Sequence, residues 1–282
     1  MTDIRDQGGE HITADSLFNG RLICNQRRHG YRFSVDAVLL AHFCQVRSGA
    51  SILDLGCGSG IIGLILLFCH QDISVTGLEM QNSLVELARK NVYANSFSER
   101  MEIVAGDARD PGKTLTPESF DLVVCNPPYR PAGSGRINRA DEAAIARHEL
   151  KATLDDMVSA AFFAVRNRCP ACFVYPAEGM ARLLATLEEQ RLIVKRVQRV
   201  YSYEDSDQAS LVLVEAVKNG GPGCRLAAPF YVYAGPDRTY SPAMQKLYTG
   251  EGESLSGLNL GLNPNNHHPG APGQQGDESR RR

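Results

Sequence analysis

No stretch of this chain is long and apolar enough to cross a lipid bilayer. The longest apolar run, Ile61 to Cys69, holds nine residues, against the roughly 20 that a membrane-spanning helix needs. The first sixteen residues are polar and mixed in charge, without the apolar core of a secretory signal, so a cytoplasmic location is expected. Eight cysteines are scattered without the dense spacing of a secreted disulfide scaffold. Cys169-Pro-Ala-Cys172 is a C-x-x-C, but no second ligand pair for zinc lies nearby, and it leads into a strand instead of starting a redox-active helix. It reads as structural, and no metal is expected. Tryptophan is absent and aromatics are few, yet hydrophobic content is ordinary, so 282 residues suffice for one sizeable α/β core with small additions.

Strong charge is also missing. A formal net charge of −2 speaks against a uniformly basic nucleic-acid binder, but distribution says more than the sum. Between Ser16 and Val35 stand Arg21, Arg27, Arg28, Arg32 and His29, with no acid. Arg130, Arg136, Arg139 and Arg147 follow later, against Asp141, Glu142 and Glu149. A third cluster, Lys195, Arg196 and Arg199, reads as a solvated face.

What the chain does have is an alternation of strand and helix patterns. Residues 1–15 read as a loose leader, and 16–33 as a basic segment of short strands or loops. Ser34 N-caps a helix running to Val46. Strands are expected at Ala50–Leu55, Ile73–Leu78, Met101–Ala105, Phe120–Cys125 and Ala171–Tyr175. Helices are expected at Ile61–His70, Asn82–Asn95, Leu154–Arg166 and Ala177–Gln190. Leu192–Tyr201 and Ala209–Val217 read as an antiparallel hairpin closing the sheet, and Leu226–Tyr233 as an added edge strand. The fold class is α/β: a doubly wound, mostly parallel sheet of seven strands, occupying 34–235. From 250 to 282 the composition of Gly, Pro, Asn, Gln and His predicts a disordered tail.

The chemistry gathers at strand ends. Asn126-Pro127-Pro128-Tyr129 follows the strand Phe120-Asp-Leu-Val-Val-Cys125. Two prolines cannot continue a strand, so they hold the Asn126 amide and the next carbonyls in a stiff turn. Acceptors that grip N–H bonds, followed by an aromatic ring, suit a planar conjugated nitrogen such as an exocyclic base amine or a carboxamide. Upstream, Ser51-Ile-Leu-Asp-Leu-Gly-Cys-Gly-Ser-Gly-Ile-Ile-Gly63 carries an apolar strand through a glycine turn into a helix. Gly58-Ser-Gly60-Ile-Ile-Gly63 alone also fits a dinucleotide G-x-G-x-x-G, so the glycines are ambiguous. Asp54 shifts the reading: a carboxylate there repels a pyrophosphate and suits the cationic amino-acid end of S-adenosylmethionine (SAM). Glu79 ends the next strand, placed for two ribose hydroxyls; the alternative is an exposed acid capping the helix Asn82–Asn95. Asp107-Ala108 ends a third, where an adenine amine would lie, though a lone Asp there is commonly a turn former.

With these motifs the chain resembles the class I SAM-dependent methyltransferases of the NPPY type, over about Phe33 to Val217. Tyr31-Arg-Phe-Ser-Val-Asp-Ala-Val-Leu-Leu-Ala41 and Ala146-Arg-His-Glu149 are similar to the bacterial tRNA1(Val) adenine-N6 methyltransferases. The chain reads Ser34-Val-Asp36 where better-known members have Gly-Thr-Asp. The resemblance implies SAM as cofactor, held by Asp36, Asp54, Gly56, Cys57, Gly58, Ser59, Gly60, Glu79, Met80, Asp107, Ala108 and Asn126. It implies Asn126, Pro127, Pro128 and Tyr129 as the catalytic segment. It also implies a tRNA substrate, with adenine 37 of the anticodon loop as target. Arg27, Arg28, Arg32, Arg130, Arg136 and Arg139 flank the active edge and are expected to meet RNA phosphates. A monomer is expected, with neither membrane nor metal as partner. Alternatives stay open: N5-methylation of a glutamine in a peptide release factor, guanine-N2 methylation of rRNA, or SAM binding without activity. The roughly fifty residues before the first strand are Arg-rich where the glutamine enzymes usually carry a helical domain, which favours RNA.

Overall fold

The computed structural model describes residues 3–5, 11–27, 35–128 and 152–250. The chain opens with a small antiparallel sheet of β1 (Asp3–Arg5), β2 (His11–Leu17) and β3 (Leu22–Arg27), in that order. The expected loose leader is therefore partly strand. Its alternation is hard to see among His, Thr, Asp and Ser, and the hairpin depends on an irregular turn. Phe18, Asn19 and Gly20 all take positive φ, and Arg21 N–H closes on the Phe18 carbonyl at 3.2 Å.

Helix α1 (Val35–Phe43) leads into the main sheet: β4 (Ser51–Leu55), α2 (Ile61–Cys69), β5 (Ser74–Glu79), α3 (Asn82–Ala94), β6 (Met101–Ala105) and β7 (Leu122–Cys125). The second half holds α4 (Leu154–Ala164), β8 (Pro170–Pro176), α5 (Met180–Glu189), β9 (Leu192–Tyr201) and β10 (Leu211–Lys218). Two short edges, β11 (Arg225–Leu226) and β12 (Phe230–Tyr231), and a last helix, α6 (Pro242–Thr249), complete it. The strand order is β11-β9-β10-β8-β7-β4-β5-β6, with β12 also on β9. Pairs among β4 to β8 are parallel, and β10 is antiparallel to both β8 and β9. The seven expected strands and the closing hairpin are all present. The expected edge strand is two separate two-residue pieces.

Burial explains why these runs are strands. In β7, Leu122 and Val124 join one buried cluster while Val123 and Cys125 join the other. That two-residue period, apolar on both faces, belongs to a strand covered by helices on each side. One face packs α1, α2, α3, the N-terminal hairpin and α6 through Val38, Leu64, Val85, Leu22 and Met244; the other packs α4 and α5 through Val158 and Leu183. Helix α4 starts as expected at Thr153, in a capping box: Asp156 N–H donates to Thr153 Oγ1 at 3.2 Å and Thr153 N–H to Asp156 Oδ2 at 2.8 Å.

Two expectations need correcting. The packed chain does not stop at residue 235, because α6 buries Met244 and Leu247 in the main core. The cluster of Lys195, Arg196 and Arg199 is not one solvated face. Arg196 is 5% exposed, donates to Glu215 Oε2 at 2.8 Å and to the Phe43 carbonyl at 2.7 Å, and lies 3.8 Å over the Phe43 ring. A guanidinium can be buried in a strand when a carboxylate, a carbonyl and a ring face share its charge.

Candidate active site

Parallel register brings the motifs to one edge. Leu55 at the end of β4 is level with Leu78 of β5 and with Cys125 of β7, and Glu79 is level with Ala105 of β6. The loops after β4 and β7 therefore leave neighbouring strands at the same height. Gly56 begins one and Asn126 begins the other, on the carboxyl side where ligands of open α/β sheets bind.

The glycine turn is held from several directions. The amides of Gly56 and Cys57 donate to the Leu78 carbonyl at 2.8 and 3.0 Å, and Gly60 N–H donates to the Cys57 carbonyl at 2.8 Å. Gly56, Gly58 and Gly60 take φ of 72°, 57° and 83°. A Cβ on Gly58 would meet nothing within 4 Å, so this backbone faces open space. Glu79, 7% exposed, accepts Gly58 N–H on Oε2 at 3.0 Å and Gln81 N–H on Oε1 at 2.8 Å. It thus fixes Gln81, the residue before α3, and still retains lone pairs for a ligand hydroxyl.

Asp54 is fully buried beneath the turn. Its Oδ2 accepts Gly63 N–H at 3.1 Å, in the first turn of α2, a helix whose N-cap, Gly60, makes no side-chain cap bond. Its Oδ1 has no hydrogen-bond partner among the described residues. Burial raises its pKa from 3.8 to about 7, the Gly63 bond pulls it down, and the charge of Glu79 adds to the rise. Burial and the nearby Asp54 also push the thiols of Cys57 and Cys125 up, so both stay protonated. A buried carboxylate oxygen awaiting a partner, bare glycine backbone and an acid at the next strand end fit a cofactor with an ammonium group and a ribose diol.

The other expected residues are distributed as follows. Asp107 follows β6 and is held by Arg109, whose Nε and Nη2 donate to Asp107 Oδ2 at 2.9 and 2.6 Å. That guanidinium keeps the Asp107 carboxyl below its usual range. Arg109 Nη2 also lies 3.8 Å from Met80 Sδ, so Met80 and Asp107 stand together at this edge. Ala108 is buried beside them. Asn126 is half-buried, Pro127 buried and Pro128 exposed. Asp36 is buried in the first turn of α1, and Arg27 ends β3. Tyr129, Arg28, Arg32, Arg130, Arg136, Arg139 and the tail beyond residue 250 lie outside the described residues. Three residues escaped sequence reasoning: Arg109, beside Asp107 and Met80, and at the glycine turn Met157, whose Cε would be 3.0 Å from a Cβ on Gly56, and Asn91, which donates to the Ser59 carbonyl. Asn91 had a signal, since a polar residue falls on the apolar stripe of Val85, Ala88 and Val92.

Residues 34–151 match the family model described as the methyltransferase small domain. A protein of Flavobacteriaceae bacterium (strain 3519-10), named tRNA1(Val) (adenine(37)-N6)-methyltransferase, is 26% identical over 188 residues, covering 67% of this chain and 78% of the relative. One of the same name from Shewanella halifaxensis is 30% identical over 167 residues, covering 58% and 66%. Among solved structures, a protein from Agrobacterium tumefaciens described as a predicted O-methyltransferase superposes with a TM-score of 0.61 at 22% identity, covering 76% of this chain and 96% of its own. That likeness concerns the fold. The cofactor is SAM. Among the described residues no helix is long and apolar enough to cross a membrane, and no group of three or more His, Cys, Asp or Glu is gathered as for a metal ion.

Proposed function

We propose that this methyltransferase transfers the methyl group of SAM to the N6 amine of an adenine in tRNA, with adenine 37 in the anticodon loop of tRNA1(Val) as target. One observation carries the reading: Leu55 and Cys125 are level, so Asn126-Pro127-Pro128 opens directly beside the glycine turn. The names of the relatives support the tRNA substrate and the position.

In this reading Asp54 faces the ammonium end of the cofactor, Glu79 the ribose hydroxyls, and Asp107 with Ala108 the adenine. SAM supplies an electrophilic methyl group on a sulfonium. Adenine N6 is a poor nucleophile because its lone pair is delocalised into the ring. The Asn126 side-chain oxygen and the Pro127 carbonyl each accept one N–H of the amine, which directs the lone pair at the methyl carbon. Asn126 is neutral and very weakly basic, so it acts by alignment, and the excess proton leaves to water. Tyr129 stacks on the base, a contact worth about 1–3 kcal/mol. Such a pocket needs an unstacked base, which an anticodon loop provides.

The experiment is mass spectrometry of nucleosides from the tRNA of a deletion strain. Loss of N6-methyladenosine from one isoacceptor, restored by the wild-type chain and not by Asn126→Ala, is the expected result. Unchanged tRNA alongside an unmethylated release factor would replace RNA with the glutamine substrate.

A further inference from the structure

Helix α3 meets the free edge of β3 with two asparagines one turn apart. Strand β3 pairs with β2 on one side only, and the N–H and C=O groups of Ile23 and Asn25 turn the other way, toward α3. Asn95 Oδ1 accepts Ile23 N–H at 2.9 Å, and its Nδ2 donates to the Ile23 carbonyl at 2.7 Å. Asn91 repeats the pattern on Asn25, accepting its N–H at 2.8 Å and donating to its carbonyl at 3.0 Å. Alternate residues of a strand rise about 6.6 Å, close to the roughly 5–6 Å between helix positions four apart, so two side-chain amides replace a neighbouring strand.

The two asparagines differ in their other bonds: Asn91 Oδ1 also accepts Asn25 Nδ2 at 3.0 Å, with no counterpart at Asn95 among the described residues. The remaining bond of Asn95 returns to its own helix, at the Asn91 carbonyl. That of Asn91 goes to the cofactor turn: Nδ2 donates to the Ser59 carbonyl at 3.0 Å. Asn91 is 0% exposed. Cys24 reinforces the junction, with Sγ 3.6 Å from Ser59 Oγ and 3.7 Å from Asn91 Nδ2.

We propose that Asn91 is a positioning residue that ties the N-terminal hairpin to the SAM turn, so that docking of β3 and binding of the cofactor favour one another. One amide holds both the strand edge and the carbonyl between Gly58 and Gly60. A ligand that fixes the turn therefore fixes β3, and the coupling is reciprocal. Because β3 ends on Arg27, the same junction lets RNA on the hairpin and cofactor in the turn influence each other; this last consequence alone rests on the tRNA reading.

The test uses the full chain and S-adenosylhomocysteine, without RNA. Hydrogen exchange of the wild type is expected to slow on ligand addition in residues 22–27 as well as in 56–63. By calorimetry, Asn91→Ala is expected to bind the ligand about fivefold more weakly, as for one lost hydrogen bond, and to lose the added protection of 22–27. Asn95→Ala breaks an equivalent rung to β3 but does not touch the turn, and its affinity should stay within about twofold of wild type. Equal weakening in the two variants would overturn the proposal, as would wild-type exchange that leaves 22–27 unaffected. Should Asn91→Ala fail to fold, the wild-type exchange experiment decides alone. A wild type that shows the protection but binds no tRNA keeps the positioning role and removes the RNA reading; one that binds tRNA without the protection does the reverse.

Discussion

Glu79 and Gly58, 21 residues apart in sequence, are joined by a carboxylate–amide hydrogen bond of 3.0 Å. The other oxygen of the same carboxylate accepts Gln81 N–H at 2.8 Å. The end of β5 therefore shapes the turn that follows β4, and it also opens α3. A longer contact from Gln81 Nε2, at 3.4 Å, reaches the same oxygen, Oε1, and a carboxylate, with about four acceptor positions, keeps capacity for the ribose hydroxyls expected of Glu79.

Glu79→Gln keeps the volume and one acceptor oxygen, whereas Glu79→Ala removes both bonds. The alanine variant is expected to lose about 2–3 kcal/mol of unfolding free energy in urea, the range for hydrogen bonds to a charged group. The glutamine variant should lose about 1 kcal/mol or less, yet bind SAM at least tenfold more weakly by calorimetry. Undiminished SAM affinity in Glu79→Gln would remove the ribose role.

Gly58 separates a folding role from a binding role. A side chain at its φ of 57° strains the backbone by about 1–2 kcal/mol, but its Cβ would meet no atom within 4 Å. Gly58→Ala should therefore fold with a modest loss of stability and a much larger loss of SAM affinity. Gly60→Ala is the contrast: at φ of 83° the side chain strains the backbone, and its Cβ would lie in ordinary contact with Met101 Cε at 3.4 Å and Ala88 Cβ at 3.5 Å, on the packed side of the turn. Its defect should appear first in the melting temperature. Thermal melts with and without SAM distinguish the two patterns, and a Gly58→Ala protein with wild-type affinity would place the cofactor elsewhere.

Asp54 should make both stability and cofactor binding depend on pH. Its pKa is raised from 3.8 to about 7, so between those values the folded protein holds a proton that the unfolded chain has released. Stability relative to Asp54→Asn therefore falls as pH rises through that window. A cationic ligand reverses the preference, because an ammonium beside Oδ1 favours the ionised carboxylate. SAM affinity of the wild type is expected to rise with pH up to about 7, releasing a proton, and Asp54→Asn should flatten that rise. Glu79, Cys57 and Cys125 share this neighbourhood, and the two thiols stay neutral throughout. Calorimetry in buffers of different ionisation enthalpy counts the proton, and a pH-independent wild-type affinity would contradict the assignment.

The strand ends were legible because buried parallel strands read as short apolar runs that stop abruptly, at Asp54-Leu-Gly56, at Glu79 and at Asn126. Helix α4 was legible from the cap at Thr153. What escaped notice depends on partners distant in sequence. Strand β2 is polar at most positions and is recognisable only through its pairing with β3. Helix α6 buries only Met244 and Leu247, and its visible sign was Ser241 before Pro242, a cap accepting Met244 N–H at 3.1 Å. Arg196 looked solvated because Glu215 and Phe43, which surround it, come from other elements. The same limit hid Asn91, whose partners lie 66 and 32 residues away.

Asn126 tests the reading most directly. It leaves β7 at the height where Gly56 leaves β4, half-buried between buried Cys125 and Pro127. Asn126→Ala removes the side-chain acceptor for one N–H of the amine. It is expected to lower kcat by about 10²–10³, the cost of deleting one preorganised polar contact to a reacting group. SAM binding should largely survive, because Asp54, Glu79 and the glycine backbone are untouched. Asn126→Asp keeps an acceptor but brings a charge next to buried Cys125, and its residual activity should fall as pH rises and the new carboxylate ionises. Tyr129→Phe should be mild, while Tyr129→Ala should raise the KM for tRNA by roughly fivefold to a hundredfold, equivalent to one lost base stack. Single-turnover assays with saturating SAM separate these effects. Undiminished turnover in Asn126→Ala would mean that the amine is aligned by other groups, and the proline-stiffened corner would then be a strand stop and nothing more.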